Sequence, residues 1–187
     1  CDHHLSHMKA ENIDNKHNLL LEVLLAAKYE GKSLVKKYNE YKERHKVFPS
    51  DICTVLARSF ADIGDIIRGK DLFIGYNEKN NYKIVKNIFG KIYEELSRTN
   101  GEAAEARYGK DPNFFKLRED WWEANRKEVW TAITCEAGND SQYFRATCGG
   151  GQNRTPTNHN CRCAANIDPP TYFDYVPQFL RWFEEWA

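Results

Sequence analysis

The sequence predicts an all-α protein, a disulfide-stapled helical bundle with a long cysteine-rich loop. Apolar residues recur at three- and four-residue steps in several long segments, which is the period of an amphipathic helix. Four of the six cysteines crowd into residues 135–163, a stretch rich in Gly, Asn and Thr. With 13% aromatic and 29% charged residues, the composition is that of a folded globular protein rather than a disordered one.

Charge and hydropathy exclude two broad classes of function. The 27 basic and 27 acidic residues balance, so only local patches can attract a polyanion, and nucleic-acid binding through overall charge is excluded. The longest apolar run, from Leu19 to Ala27, is interrupted by Glu22 and is too short to span a membrane. The chain begins with Cys1 and shows no signal sequence, so we expect it to be a fragment of a longer protein.

A first helix is predicted from about Asn18 to Tyr41, with Gly31 weakening its middle by about 1 kcal/mol relative to Ala. Its apolar positions are Leu20, Val23, Leu24, Ala27, Leu34 and Tyr38. The preceding residues are polar and contain His3, His4, His7 and His17. These histidines suggest a metal site, but solvated surface is the simpler interpretation because no tight ligand spacing is present.

The end of this helix and the residues after it form a local basic patch. Acidic residues in the segment are Glu40 and Glu43 alone. The basic residues are Lys36, Lys37, Lys42, Arg44, His45 and Lys46.

A second helix is predicted to begin after Ser50 or Asp51 and to end at Gly69. Its buried stripe comprises Cys53, Leu56, Phe60, Ile63 and Ile67. Asp62, Asp65 and Arg68 are expected on the surface. The aspartates suggest acid–base chemistry or a divalent cation, but without a third ligand a solvated face, with Asp65 or Asp71 holding a neighbouring loop, is the simpler interpretation.

A third helix is predicted over roughly Asn81 to Ser97, followed by a polar connection at residues 98–110. Its apolar positions are Tyr82, Val85, Ile88, Phe89, Ile92 and Leu96. Lys79, Lys83 and Lys86 cluster on the opposite side. Such a positive stripe is either solubilising surface or a track for a sulfated polysaccharide or an acidic partner.

The most aromatic helix is predicted from Asp111, as N-cap, and Pro112, in the first turn, to Cys135. Its apolar positions are Phe114, Leu117, Trp121, Trp122, Val129, Trp130 and Ile133. Pro169 and Pro170 force an extended chain, and a last helix is predicted from Val176 to Trp186 because apolar residues return to helical spacing there.

The loop after the aromatic helix contains Cys135, Cys148, Cys161 and Cys163. Disulfides are the leading interpretation, because the loop has too few apolar residues to hold itself by a core. Zinc is a weaker alternative, since a Cys-x-Cys pair is a poor substitute for the usual spacing, and a Cys–His nucleophile lacks an orienting group. An odd thiol is expected to find its partner outside the chain, and Cys1 is the candidate.

Several stretches together closely resemble the Duffy-binding-like domain, specifically the alpha type of the variant erythrocyte membrane protein family of the malaria parasite Plasmodium falciparum. They are ARSFADIGDIIRGKDL (57–72), FFKLREDWWEANRKEVWTAITC (114–135), YFRATC (143–148), CRC (161–163) and PPTYFDYVPQFLRWFEEWA (169–187), and HNLLLEVLLAAKYEGKSL (17–34) also fits. The resemblance implies a three-subdomain adhesin. Residues 1–48 would end subdomain 1 and carry the first helix, 49–175 would form subdomain 2 with its cysteine-rich loop at 135–168, and 176–187 would begin subdomain 3.

The resemblance also implies a function without enzymatic activity or cofactors. Such domains lie on the extracellular face of the infected erythrocyte membrane and bind host cell-surface receptors in rosetting and cytoadherence. The implied partners are heparan sulfate-like (heparin) or blood-group glycans. A protein receptor, such as complement receptor or immunoglobulin, is the alternative.

The resemblance implies pairings for the cysteines and a scaffold role for the motif residues, but it assigns no binding residues. Cys53 would bond to the Cys161–Cys163 region, Cys135 would pair within the same loop system, and Cys1 would pair upstream of the chain. The glycan-binding residues are instead predicted from the clustering of charge, and a metal-dependent or cysteine enzyme is the competing class. They are Lys36, Lys37, Lys42, Arg44, Lys46, Lys79, Lys83 and Lys86.

Overall fold

The structure is a computed structural model that describes residues 13, 15–45, 51–71, 78–149, 153–164 and 168–181, with backbone only at 78–81. Within these ranges the main helices are α1 (Lys16–His45), α2 (Ile52–Arg68), α3 (Glu78–Tyr108) and α4 (Phe115–Ile133). Short 3-10 turns cover His159–Cys161, Phe173–Tyr175 and Gln178–Leu180. The only extended pairing in the described residues is an isolated bridge between Cys148 and Thr155, so the all-α prediction is confirmed.

Helix α4 lies at the centre of the bundle because its indoles fill the core. Trp122 is fully buried and packs against Phe60 of α2, with ring centroids 5.2 Å apart. Trp130 meets the other side of Phe60 edge-on at 5.3 Å, and Trp121 meets Phe89 of α3 edge-on at 6.2 Å. Each aromatic side chain brings about 150–250 Å² into the core, so α4 joins its neighbours chiefly through these rings.

Helix α1 approaches α4 most closely at Gly31. A Cβ atom at Gly31 would lie 1.9 Å from the carbonyl oxygen of Ile133, so only glycine permits this contact. The helix begins earlier than predicted because the Asn15 side chain accepts hydrogen bonds from the backbone N–H groups of His17 and Asn18, both at 2.9 Å. It also ends later, at His45.

The boundaries of α2 are confirmed. Asp51 is the N-cap and accepts a hydrogen bond from the Thr54 N–H at 2.9 Å. Gly69 ends the helix in the left-handed conformation with φ of 73°. The guanidinium of Arg118 on α4 donates to the terminal carbonyls of Ile66 and Ile67, at 3.0 and 2.5 Å, which ties the end of α2 to α4.

The predicted start of the aromatic helix is wrong by one turn. Residues 111–114 form a turn, and α4 begins at Phe115 after Phe114, whose φ is 56°. Asp111 still accepts hydrogen bonds from the N–H groups of Asn113 and Lys116, at 3.1 and 3.0 Å. It therefore stabilises the turn and the first helical residues together, rather than capping a helix that contains Pro112.

The predicted connection at residues 98–110 is also corrected, because it is helical up to Tyr108. The backbone is non-helical at Asn100, where α3 reverses direction. Glu105 accepts a hydrogen bond from the Tyr93 hydroxyl at 2.5 Å, whereas a straight helix would separate residues twelve apart by about 18 Å. The two parts of α3 therefore lie side by side.

The segment 168–181 docks on α2 and α4 through buried charges. Asp174 accepts two hydrogen bonds from Arg126, both at 2.8 Å, and one from the indole of Trp122 at 2.9 Å. Arg181 binds Asp62 at 2.9 Å and Asp65 at 2.6 Å. Helix α2 is thus covered on a side that the sequence leaves polar.

This arrangement corrects the surface placement of two α2 residues. Asp65 is 4% exposed and Arg68 is 1% exposed, because the C-terminal segment covers them. Arg68 donates to Asp65, Glu119 and the backbone carbonyl of Asp174. Asp62 keeps 40% of its side chain exposed. Only residues 176–181 of the predicted helix Val176–Trp186 are described, and they contain a 3-10 turn at Gln178–Leu180. Residues 182–187 lie outside the described ranges.

Two disulfides staple the cysteine-rich loop. Cys53 on α2 bonds to Cys161, and Cys148 bonds to Cys163. A zinc site in this loop would therefore lack three of its four cysteine ligands. Cys135 is exposed and forms no disulfide with another described residue, which corrects the expected pairing within the loop, because the other three loop cysteines are already bonded.

Candidate binding surface

The C-terminal half of α1 carries exposed cations, but they do not share one face. At 100° per residue, Lys37 and Arg44 lie within about 100° of Lys36 around the helix, whereas Lys42 lies about 120° away on its other side. All four side chains are exposed, and Lys36 is 78% exposed with a long ion pair to Glu40 at 4.0 Å. A cluster in sequence is therefore only partly a cluster in space.

A tighter cationic row is formed by Lys28, Lys32 and Lys36, which we term the lysine row. Its members are four residues apart, so they advance by only about 40° per step and extend over about 12 Å of helix. Lys28 and Lys32 are exposed and form no ion pair with another described residue. Sequence reasoning missed these two lysines, although the four-residue spacing is visible in the sequence.

The lysine row is flanked by apolar side chains on the same outward face. Leu25 and Tyr29 are 40% and 52% exposed; around the helix, Leu25 lies between Lys32 and Lys36, and Tyr29 lies about 20° beyond Lys36. Leu21 continues this strip toward the start of α1 and is 57% exposed. The face therefore combines positive charge with apolar contact area, as interfaces commonly do.

The predicted basic residues of α3 lie at the opposite end of the bundle. Lys83 is exposed, and Lys86 donates to the side-chain oxygen of Asn113, just before α4, at 2.9 Å. Gly31 contacts Ile133 at the C-terminal end of α4, and the predicted cations of α1, which begin at Lys36, follow Gly31 along the helix. The length of α4, about 28 Å at 1.5 Å per residue, therefore separates the two groups. Lys46 and the Lys79 side chain lie outside the described residues.

Lys42 lines a separate cleft between α1 and the start of the loop. The cleft has a volume of about 360 Å³ and also contains Tyr38, Asn39 and the acidic residues Asp51 and Asp140. Asp51 is engaged as the N-cap of α2. With carboxylates on its walls, this cleft suits a polyanion less well than the lysine row does.

The ionisable groups around α2 stabilise the fold. Burial raises the pKa of Asp62 to about 6, although Arg181 opposes the change, and burial also raises the pKa of Asp65 against the effect of Arg181. Burial lowers the pKa of the Arg118 guanidinium to about 10. These groups hold α2 to its neighbours, because Arg118 donates to the Ile67 carbonyl and Arg181 donates to the Asp65 carboxylate.

Metal and membrane features are absent from the described part of the chain. No cluster of three or more histidine, cysteine or acidic side chains that would hold a metal is found there, and His3, His4 and His7 lie outside it. None of the helices in those ranges is both long and apolar enough to cross a bilayer.

These features define the class of protein as an all-helical, disulfide-bonded domain with a cationic helix face. The chain belongs to the Duffy binding domain family, whose model matches residues 1–181. The NTS-DBL1(alpha-1) domain of the Plasmodium falciparum membrane protein 1 (PfEMP1) from the varO strain is a solved structure to which it is similar. The identity is 43% and the TM-score 0.77, covering 100% of this chain and 40% of that one.

Two further relatives bear on function. A PfEMP1 DBLb domain solved bound to human ICAM-1 is 35% identical with a TM-score of 0.62, covering 91% of this chain and 32% of that one. The Duffy receptor beta form of Plasmodium knowlesi is 26% identical over 92% of this chain. The chain spans only 11% of the length of that receptor.

Proposed function

We propose that this chain is part of a host-cell adhesion domain, exposed on the infected erythrocyte, that binds a receptor on red cells or endothelium. The observation that carries the proposal is the lysine row, three exposed cations on one helix face in a family whose solved members include one bound to human ICAM-1. The family's role is receptor binding, and catalysis forms no part of the proposal.

The contact proposed here is with a sulfated, heparan sulfate-like glycan. Lys28, Lys32 and Lys36 present a line of ammonium groups, and Arg44 follows in the same four-residue spacing after Glu40. Sulfate groups spaced along a chain would meet several of these cations at once, which gives affinity by summing weak contacts. Blood-group glycans are the uncharged alternative and would rely on the exposed Tyr29 and Leu25 instead.

The test is retention of the non-reduced chain on immobilised heparin across salt from about 0.05 to 1 M, over which the screening length falls to about 3 Å. Replacing Lys28, Lys32 and Lys36 by Glu should move elution to clearly lower salt. A matched control changes the same number of exposed lysines elsewhere, Lys110, Lys116 and Lys127. Equal loss in both triple variants would mean that only overall charge matters and would overturn the assignment.

A protein receptor is the second candidate, and the ICAM-1-bound relative favours it. Complement receptor and immunoglobulin are the other proteins in this class. Binding that survives high salt and fails with heparin would support this candidate, because a contact dominated by apolar area is weakly screened.

A further inference from the structure

A second cleft lies at the other end of α1 from the basic patch. It has a volume of about 460 Å³, within the range of ligand pockets, and opens between the start of α1, the middle of α3 and α4. Its apolar lining includes Trp121, Leu20, Ile92 and Leu96. Trp121 is 7% exposed, so a small part of the indole is left open at the cleft.

The rim of this cleft carries a lysine and a histidine. Lys16 and His17 line it and are exposed, and Lys16 forms no ion pair with another described residue. The acidic residue in the lining, Asp120, accepts hydrogen bonds from Arg107 at 2.7 and 2.9 Å and from the Tyr108 hydroxyl at 2.7 Å. The hydrogen bond from Arg107 lowers the pKa of Asp120, so this carboxylate stays ionised and paired.

The polar groups at the floor are likewise engaged within the fold. The Asn125 side chain donates to the Trp121 carbonyl at 2.6 Å, so its amide nitrogen is engaged within α4. An occupant therefore meets apolar surface inside the cleft and the Lys16 side chain at its edge. Interfaces commonly obtain most of their binding energy from a bulky side chain inserted into such a pocket.

We propose that this cleft binds a protein partner through one bulky apolar side chain, with a neighbouring carboxylate lying against Lys16 and His17. The commitment to an acidic peptide rests on charge complementarity, since Asp120 is paired with Arg107 while Lys16 forms no ion pair with another described residue. The site does not depend on the glycan proposal, because the lysine row lies on the outward face of α1 and contributes nothing to the cleft.

The test is an NMR titration of the full 187-residue, non-reduced chain labelled with ¹⁵N at tryptophan. The probes are the blocked peptides Gly-Glu-Phe-Glu-Gly, Gly-Lys-Phe-Lys-Gly and Gly-Glu-Ala-Glu-Gly, with decanoate as a non-peptide amphiphile. The Glu-Phe-Glu peptide should shift the Trp121 indole signal and leave the buried Trp122 and Trp130 indoles in place. Exchanging Glu for Lys should weaken binding by about three- to tenfold, and the Ala peptide should not bind.

Two variants keep the test independent of folding damage. Ala124 lines the cleft and is exposed, so Ala124→Trp fills the space without disturbing the core, whereas Ala103→Trp adds the same ring at an exposed site elsewhere. Binding should be lost in the first variant and kept in the second. Replacing Lys16 and His17 by Glu should reverse the preference between the Glu and Lys peptides.

Four results would overturn the proposal. These are no movement of the Trp121 signal with any peptide, equal binding of the Glu and Lys peptides, undiminished binding by Ala124→Trp, and binding of decanoate without the Glu-Phe-Glu peptide. Heparin retention of the same samples is measured separately, so that a failed cleft and a failed glycan site are told apart.

Discussion

The buried pair of Asp174 and Arg126 gives the sharpest stability prediction. The Asp174 side chain is fully buried, and its carboxylate accepts three hydrogen bonds between 2.8 and 2.9 Å from Arg126 and Trp122. Replacing Asp174 by Asn keeps an acceptor for Trp122 but leaves the Arg126 guanidinium buried without its counter-charge. Breaking a buried pair in this way costs about 3–5 kcal/mol.

This loss is large compared with the total stability of a domain, about 5–15 kcal/mol. For a chain of this size it corresponds to a decrease in Tm of about 6–20 °C, at 2–4 °C per kcal/mol. Urea denaturation of the non-reduced chain, followed by circular dichroism, measures it directly. The matched control is Asp140→Asn, an exposed aspartate of the loop, which should change stability by less than about 0.5 kcal/mol.

A double-variant cycle separates the pair from the packing around it. Arg126→Met combined with Asp174→Asn removes both charges, so the double variant should be less destabilised than the sum of the two single variants by about 0.5–3 kcal/mol. A single Asp174→Asn variant within about 0.5 kcal/mol of the natural chain would refute the reasoning that this pair holds the C-terminal segment.

Three further predictions concern packing, cross-linking and pH. Gly31→Ala should destabilise the chain by at least about 1–3 kcal/mol despite the better helix propensity of Ala, because its Cβ meets the α4 backbone. Replacing Cys53 and Cys161 by Ala should cost about 2–5 kcal/mol, since that disulfide closes a loop of 108 residues. The raised pKa of Asp62, about 6, means that the folded state binds its proton more tightly than the unfolded state does. Relative to Asp62→Asn, the natural chain should therefore gain stability as pH falls from about 6 to about 4.

Each of these has a direct check by denaturation of the matched pairs of proteins. Gly101→Ala, at a glycine with open space around it, is the control for Gly31. Neutral or stabilising Gly31→Ala would show that α1 and α4 are further apart than described. Parallel stability curves for the natural chain and Asp62→Asn across that pH range would contradict the raised pKa.

Local signals allowed α2 to be predicted with accurate ends. Asp51 and Gly69 act within a few residues of the helix termini, so the sequence carries the necessary information. The burial of Asp65 and Arg68 was beyond such reasoning, because their partners Arg181 and Asp174 lie more than a hundred residues away along the chain. Long-range ion pairs leave no local pattern.

For two other incorrect predictions, the sequence does contain a local signal. The Asn100-Gly101 pair is a common turn sequence, and α3 reverses there. Asn15 is likewise a visible N-cap for α1. At the candidate surface, grouping by sequence proximity gathered Lys36, Lys37, Lys42 and Arg44, whereas helical spacing picks out Lys28, Lys32 and Lys36.

The family was predicted from the resemblance, and the cysteines show how far the resemblance also predicts individual residue pairings. Cys53 is bonded to Cys161, within the region that the resemblance implies, whereas Cys135 stays unpaired among the described residues. The proposed glycan site follows from neither motif nor fold, because the lysine row is a surface feature that the core does not dictate.

Binding to intact erythrocytes tests the central proposal most directly. The fluorescently labelled, non-reduced chain is measured by flow cytometry beside the variant with Glu at positions 28, 32 and 36, before and after heparinase treatment of the cells. The account predicts binding by the natural chain, loss in the variant, and loss after heparinase. Equal binding by both proteins, unaffected by heparinase, would contradict it.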